Sequence, residues 1–293
     1  MILGGGAALA LAVVTVALTL GGGGRADPAR TAATARVDRF DSQRAFAELA
    51  RQVALGPRPA GSRRLRQLAE RLRSELPGGR FERIPGHPRL RNVVGRLPGR
   101  RPAIVIAAHY DTKRLPGFVG ANDGAAGTAA VVELARALKR AERPASAREL
   151  RFVLFDGEEA TDDTRPIAET GLRGSTAYAE RHARELGALI LLDFIAAEGL
   201  SIRREAYSDR ALWSRLRQAA RAVGAGAAFP AGTGGTITDD HVPFVARGIP
   251  SIDLIQWPYG CWHRPCDDLS AVSERSLDLT GETVLRLVRT LAG

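Results

Sequence analysis

Acids and histidines gather at a few points of this sequence. They are "HYD" at 109–111, "ND" at 122–123 inside "FVGANDGAAG", "DGEE" at 156–159, the acid closing "LLD" at 193, "DDH" at 239–241 and "WH" at 262–263. Asp123, Glu158, Glu159 and Asp193 would repel one another in a shared crevice, and burial would disfavour their charged forms. A divalent cation removes both penalties, and histidine nitrogen with carboxylate oxygen is a usual donor set for zinc. A glycine-rich turn ahead of a helix can also cradle a phosphate. Here G-K-[S/T] and G-x-G-x-x-G are both absent, so that chemistry lacks its donors. The glycines of 118–127 are instead read as allowing a tight turn that carries Asp123 to a metal.

These side chains need a frame. "AIVIAAHY", "ELRFVLFD" and "ALILLDFIA" are apolar runs of strand length, and a continuous run suits a strand buried on both faces. Each ends in a histidine or an acid: His109 with Asp111, Asp156 with Glu158 and Glu159, and Asp193. Helical patterns alternate with them: "TAAVVELARALKRA", "GSTAYAERHARE", "ALWSRLRQAARAVG" and a closing "SERSLDLTGETVLRLVRTLA". Such alternation predicts an α/β fold, a three-layer sandwich with a mostly parallel, mixed central sheet and helices on both faces. "SIDLIQW" is a further strand. Upstream, "DSQRAFAELARQVAL" and "SRRLRQLAERLRSEL" are amphipathic helices, the second with Leu65, Leu68, Leu72 and Leu76 on one face. "RFERI" and "RNVVGRL" are short strands. In open α/β sheets ligands bind beyond the carboxyl ends of the strands, so the acids and histidines belong to one edge.

The chain has 293 residues, 45% hydrophobic and 25% charged, enough for one large α/β domain. Residues 1–24 carry no charge and read as a signal or anchor segment. Residues 25–38 read as a linker, and 39–293 as the catalytic domain. The protein is expected to be exported, secreted or membrane-anchored through that segment alone. No basic stretch precedes the apolar run and arginines follow it, against the usual charge bias; a start upstream of Met1 would supply the missing residues. Net charge is +10, and 40 of the 42 basic residues are arginine, Lys113 and Lys139 being the two lysines. They are spread along the chain rather than clustered, and aromatics are few, so nucleic acid is not an expected partner. Cys261 and Cys266 flank His263. Their short gap and the expected export favour a disulfide holding this loop; two free thiols, one near the metal, are the alternative.

The ordered set "HYDTK", "FVGAND", "FDGEEA", "LLD", "DDHVPF" and "WH" resembles the zinc-dependent exopeptidases, which include co-catalytic zinc aminopeptidases and glutaminyl-peptide cyclotransferases. The resemblance covers about 40–292. "GPRPAGS", Lys113, "FVGA", the doubled acid before His241 and Trp262 before His263 lean toward the cyclotransferases. The resemblance implies that Asp123, Glu159 and His263 hold the catalytic zinc. His109 and Asp193 match the positions of a second zinc in the aminopeptidases, with Asp123 bridging. One zinc goes with the cyclotransferase reading and two with the aminopeptidase reading. Glu158 matches the general acid/base, Asp193 and Asp240 match acids of a substrate-facing network, and Trp262 matches a wall of the substrate pocket.

For a cyclotransferase the implied reaction converts an N-terminal glutamine of a peptide to pyroglutamate with release of ammonia. Glu158 takes a proton from the attacking α-amine and delivers it to the leaving group. For an aminopeptidase, Glu158 activates water against the first peptide bond. Both act on free peptide or protein N-termini, and a monomer is expected. A third reading is an inactive binding protein on the same fold, which retention of all five metal positions and Glu158 argues against. Two departures stand out. "ANDGAAG" is closer to the aminopeptidase loop, and "TDDTRPIAETGLRGS" lacks the tryptophan some cyclotransferases carry there.

Overall fold

The computed structural model describes residues 39–293; the apolar segment at 1–24 and the linker at 25–38 lie outside the described residues. Two helices open the domain, α1 (Ser42–Ala54) and α2 (Arg63–Glu75). Each starts at a residue whose side chain accepts from a first-turn amide: Asp41 from Arg44 N at 3.0 Å, and Ser62 from Leu65 N at 3.1 Å. Strands β1 (Arg80–Ile84), β2 (His87–Leu97) and β3 (Arg100–His109) follow. Then come α3 (Gly127–Arg140), β4 (Arg148–Phe155), α4 (Arg173–His182) and β5 (Leu186–Asp193). The chain closes with α5 (Arg210–Ala222), β6 (Ser251–Ile255) and α6 (Glu274–Ala292). Among the described residues no helix is long and apolar enough to cross a membrane.

The six strands form one mixed sheet in the order β1-β2-β4-β3-β5-β6. The β1–β2 and β2–β4 pairs are antiparallel, and β4–β3, β3–β5 and β5–β6 are parallel. This is the expected α/β sandwich. Side chains alternate along β3: Ile104, Ile106 and Ala108 join the larger core under α1, α2, α3, α5 and α6. Val105 and Ala107 join the smaller core with Tyr178 of α4 and Phe244. With both faces covered, the strand can be apolar throughout. The strand order reverses at β3, whose neighbours β4 and β5 both come after it in sequence. The crevice at that reversal is where an open α/β sheet binds ligands. His109 pairs with Phe155 across β3 and β4, and Asp193 with Ile255 across β5 and β6, so these ends are level.

The N-terminus of α3 lies directly on this edge because Gly127 has no side chain. A Cβ there would sit 2.1 Å from the carbonyl oxygen of Leu192 and 2.9 Å from Cβ of Ala108. Backbone cannot yield as a side-chain tip would. Gly127→Ala is therefore expected to lower stability by about 1–3 kcal/mol through overpacking, read as a lower urea midpoint with an unchanged slope.

Candidate metal centre

The turn between β3 and α3 carries Asp123. Gly124 beside it has φ +92, and a Cβ there would meet the carbonyl oxygen of Asp111 at 2.8 Å and Cε1 of His109 at 3.1 Å. Only glycine lets the carboxylate swing back against the end of β3. The turn is gripped from two directions. Asp267 accepts the amides of Asn122 at 2.8 Å and Asp123 at 3.1 Å, and its carbonyl accepts Ala121 N. Arg58, from "GPRPAGS", is fully buried and donates Nη1 to the carbonyl of Val119 at 2.9 Å and Nη2 to that of Gly120. Burial lowers its guanidinium only to about 10, so it stays charged at neutral pH.

Asp123 stands between two groups of side chains. His109 Nε2 is 3.2 Å from Asp123 Oδ1 and 3.4 Å from Asp193 Oδ1. Its Nδ1 faces the carbonyl of Asp111 at 3.2 Å. A carbonyl can only accept, so Nδ1 carries a proton, and Nε2 is the nitrogen turned toward the acids, where it would bind a cation held between them. On the other side His263 Nε2 is 3.3 Å from Glu159 Oε2 and 3.7 Å from Asp123 Oδ2. The ligand atoms of His109, Asp123 and Asp193 lie within 4.8 Å of one another, as do those of Asp123, Glu159 and His263. All five positions read from the sequence are thus brought together.

The arrangement has a debt that a cation settles. Asp123 Oδ2 and Glu159 Oε1 are buried with no hydrogen-bond partner. Burial and the neighbouring Asp123 push Glu159 up to about 7, and burial pushes Asp193 up to about 8. Carboxylates forced toward neutrality beside imidazoles fit a divalent ion. Backbone strain gathers here too. Phe194, next to Asp193, has φ 46 and His263 has φ 53. Conformations of this kind cost of order 1–3 kcal/mol each and persist where the surroundings over-determine them. For His263 those surroundings are the Cys261–Cys266 disulfide, a stack on Trp262 at 4.4 Å and an edge contact with Phe118 at 5.9 Å. The disulfide reading of the cysteine pair holds.

A cavity of about 550 Å³ opens on the ligands, and Glu158, Asp193, Asp239, Trp257 and Trp262 are among the residues on its wall. Glu158 is anchored through its amide to Asp111 Oδ1 at 3.2 Å, and burial holds its carboxyl well above the usual range. Trp262 stands where expected, and Trp257 meets it edge-on at 5.0 Å with Phe194 stacked behind at 6.3 Å. The segment after "DGEEA" supplies Arg165 and Ile167 instead of an aromatic. The doubled acid divides differently from the expectation. Asp239 lines the cavity, while Asp240 is enclosed and does not reach it. The side chain of Asp239 accepts the amide of Asp240.

Asp267 was not among the sequence candidates, although it follows Cys266 directly. Each carboxylate oxygen of Asp267 accepts one of these amides, so Asp267→Asn would set an amide NH₂ against one backbone N–H and loosen the turn that carries Asp123. Such outer partners are worth 10–100-fold in metal affinity. Zinc binding about that much weaker is expected, measured by competition with a chromophoric chelator.

A family description, peptidase family M28, matches residues 92–288. The chain is similar to the glutaminyl-peptide cyclotransferase of Drosophila melanogaster, 28% identical over 225 residues, 67% of this chain and 63% of the relative. It is also similar to aminopeptidase YwaD of Bacillus subtilis (strain 168), 30% identical over 208 residues, 64% of this chain and 41% of the relative. It therefore spans less than two thirds of these curated relatives. Among solved structures, the glutaminyl cyclase of Porphyromonas gingivalis superposes with a TM-score of 0.76 at 29% identity, covering 86% of this chain and 99% of that one.

Proposed function

The chain belongs to peptidase family M28, and from that premise we propose that it is a zinc-dependent glutaminyl-peptide cyclotransferase. The observation that carries this reading is the pairing of Asp123, Glu159 and His263 with an unliganded, buried Glu158 on one aromatic-walled cavity. A bound zinc supplies Lewis acidity to the side-chain carbonyl of an N-terminal glutamine. Asp123, Glu159 and His263 would hold it. Glu158 accepts a proton from the α-amine as that nitrogen bonds to the side-chain carbonyl carbon. The carbon–nitrogen bond of the carboxamide then breaks, and Glu158 returns the proton to the departing ammonia. Asp193 and Asp239 face the same space as acceptors for the ammonium end of the substrate, and Trp257 and Trp262 flank it.

One observation favours a second reading, metallo-aminopeptidase. His109, Asp123 and Asp193 keep the spacing of a second metal group, 3.2 and 3.4 Å, and a B. subtilis aminopeptidase is among the relatives. The test is the zinc-loaded full chain with a synthetic peptide beginning with glutamine, followed by mass spectrometry. Loss of ammonia from an intact peptide, faster than without protein, is expected; release of free glutamine would replace this reading with the second. The Cys261–Cys266 disulfide supports export, since such bonds persist in oxidising compartments.

A further inference from the structure

Behind the cavity wall lies a third group of donors that shares no residue with the two around Asp123. Asp253 is the central residue of β6, a strand buried at every position. A carboxylate is the costliest side chain to place there unless it is compensated. Neither of its oxygens has a hydrogen-bond partner. His241 is fully buried beside it, with Nδ1 3.6 Å from Asp253 Oδ2 and without a hydrogen-bond partner. Asp239 completes the set, and its Oδ2 is buried and unpartnered as well. The ligand atoms of Asp239, His241 and Asp253 lie within 4.8 Å of one another. Among the described residues no arginine or lysine pairs with any of these acids, in a chain with 42 basic residues.

The spacing is informative. Four ligands about 2.1 Å from a zinc ion at tetrahedral angles stand roughly 3.4 Å apart. The separation of 3.6 Å matches that, and it matches the 3.2–3.7 Å found in the groups around Asp123. The outer partner is also in place. Nε2 of His241 is 3.3 Å from Oε1 of Glu205, whose other oxygen accepts the amide of Tyr207. A histidine that turns one nitrogen to a metal and the other to a fixed carboxylate is the usual support for a metal-binding imidazole.

We infer that Asp239, His241 and Asp253 form a separate buried site for a divalent cation of the zinc class, with Glu205 orienting the imidazole. The ion ties β6 to the turn before Phe244. Because Asp239 also lines the cavity, the site fixes one wall of the pocket and the acid that stands on it. The inference does not depend on which reaction the pocket performs.

Crystals of the zinc-loaded full chain, measured on both sides of the zinc absorption edge, test it directly. An anomalous peak within bonding distance of His241 Nδ1 and an Asp253 oxygen is expected. Peaks at the groups around Asp123 with none at His241 would overturn the inference, and would mean that a proton, not a metal, neutralises Asp253. Metal analysis of Asp253→Asn gives a second reading. It should hold one zinc fewer per chain than wild type while keeping the zinc at Glu159 and His263; an unchanged count would equally overturn the inference. If that variant fails to fold, the wild-type anomalous map still decides.

Discussion

Glu158→Gln should lower kcat by about 10²–10⁴-fold, the contribution of a positioned proton carrier, and leave the bound zinc in place. The two effects separate because Glu158 sits beside the ligands without belonging to either group of them. The amide is nearly isosteric, and the link from the backbone N–H of residue 158 to Asp111 Oδ1 survives the exchange. Binding of the glutamine side chain to the metal would then persist, and KM should move far less than kcat. Burial, with Glu159, Asp239 and Asp240 close by, holds the Glu158 carboxyl well above its ordinary range. A neutral amide there removes the proton exchange and little else. Rapid-mixing assays with metal analysis on the same sample check both halves. A variant with full activity would sink the role; a variant without zinc would show that Glu158 helps build the centre.

Much of this site was legible before any coordinates. Strands buried on both faces are continuous apolar runs, so β3, β4 and β5 announced themselves. Where each run stops in His109, Asp156 or Asp193, the parallel order puts those residues on one edge. The resemblance then matched Asp123, Glu159 and His263, and all three converge. What was hidden lies in irregular backbone. Asp239 and Asp240 are neighbours in a segment with no repeating period, so nothing in their spacing says which one faces the cavity. Asp267 and Arg58 act through backbone amides and carbonyls, which leave no mark on side-chain patterns. Asp267 had one available signal, its position directly after the cysteine bridge that carries His263. The loop that delivers a ligand can also hold the turn bearing its partner.

That coupling puts the greatest weight on Asp123, and Asp123→Ala is expected to abolish both the metal and the reaction. It alone belongs to both groups, with Oδ1 toward His109 and Oδ2 toward His263. Removing it leaves each group two donors, too few for a zinc site that needs three protein ligands. Activity should fall to the rate without protein, and every zinc held by these groups should be lost, while an ion at His241 and Asp253 remains. His109→Ala divides the two proposed reactions further. If one zinc serves cyclisation, Glu159, His263 and Asp123 still hold it, and turnover survives. If two ions cooperate in hydrolysis, loss of His109 removes one of them and turnover collapses as it does in Asp123→Ala. Counting zinc and product in both variants therefore tests the ligand assignment and the metal stoichiometry together. Retention of zinc at Glu159 and His263 in Asp123→Ala would show that Asp123 is not the ligand joining them.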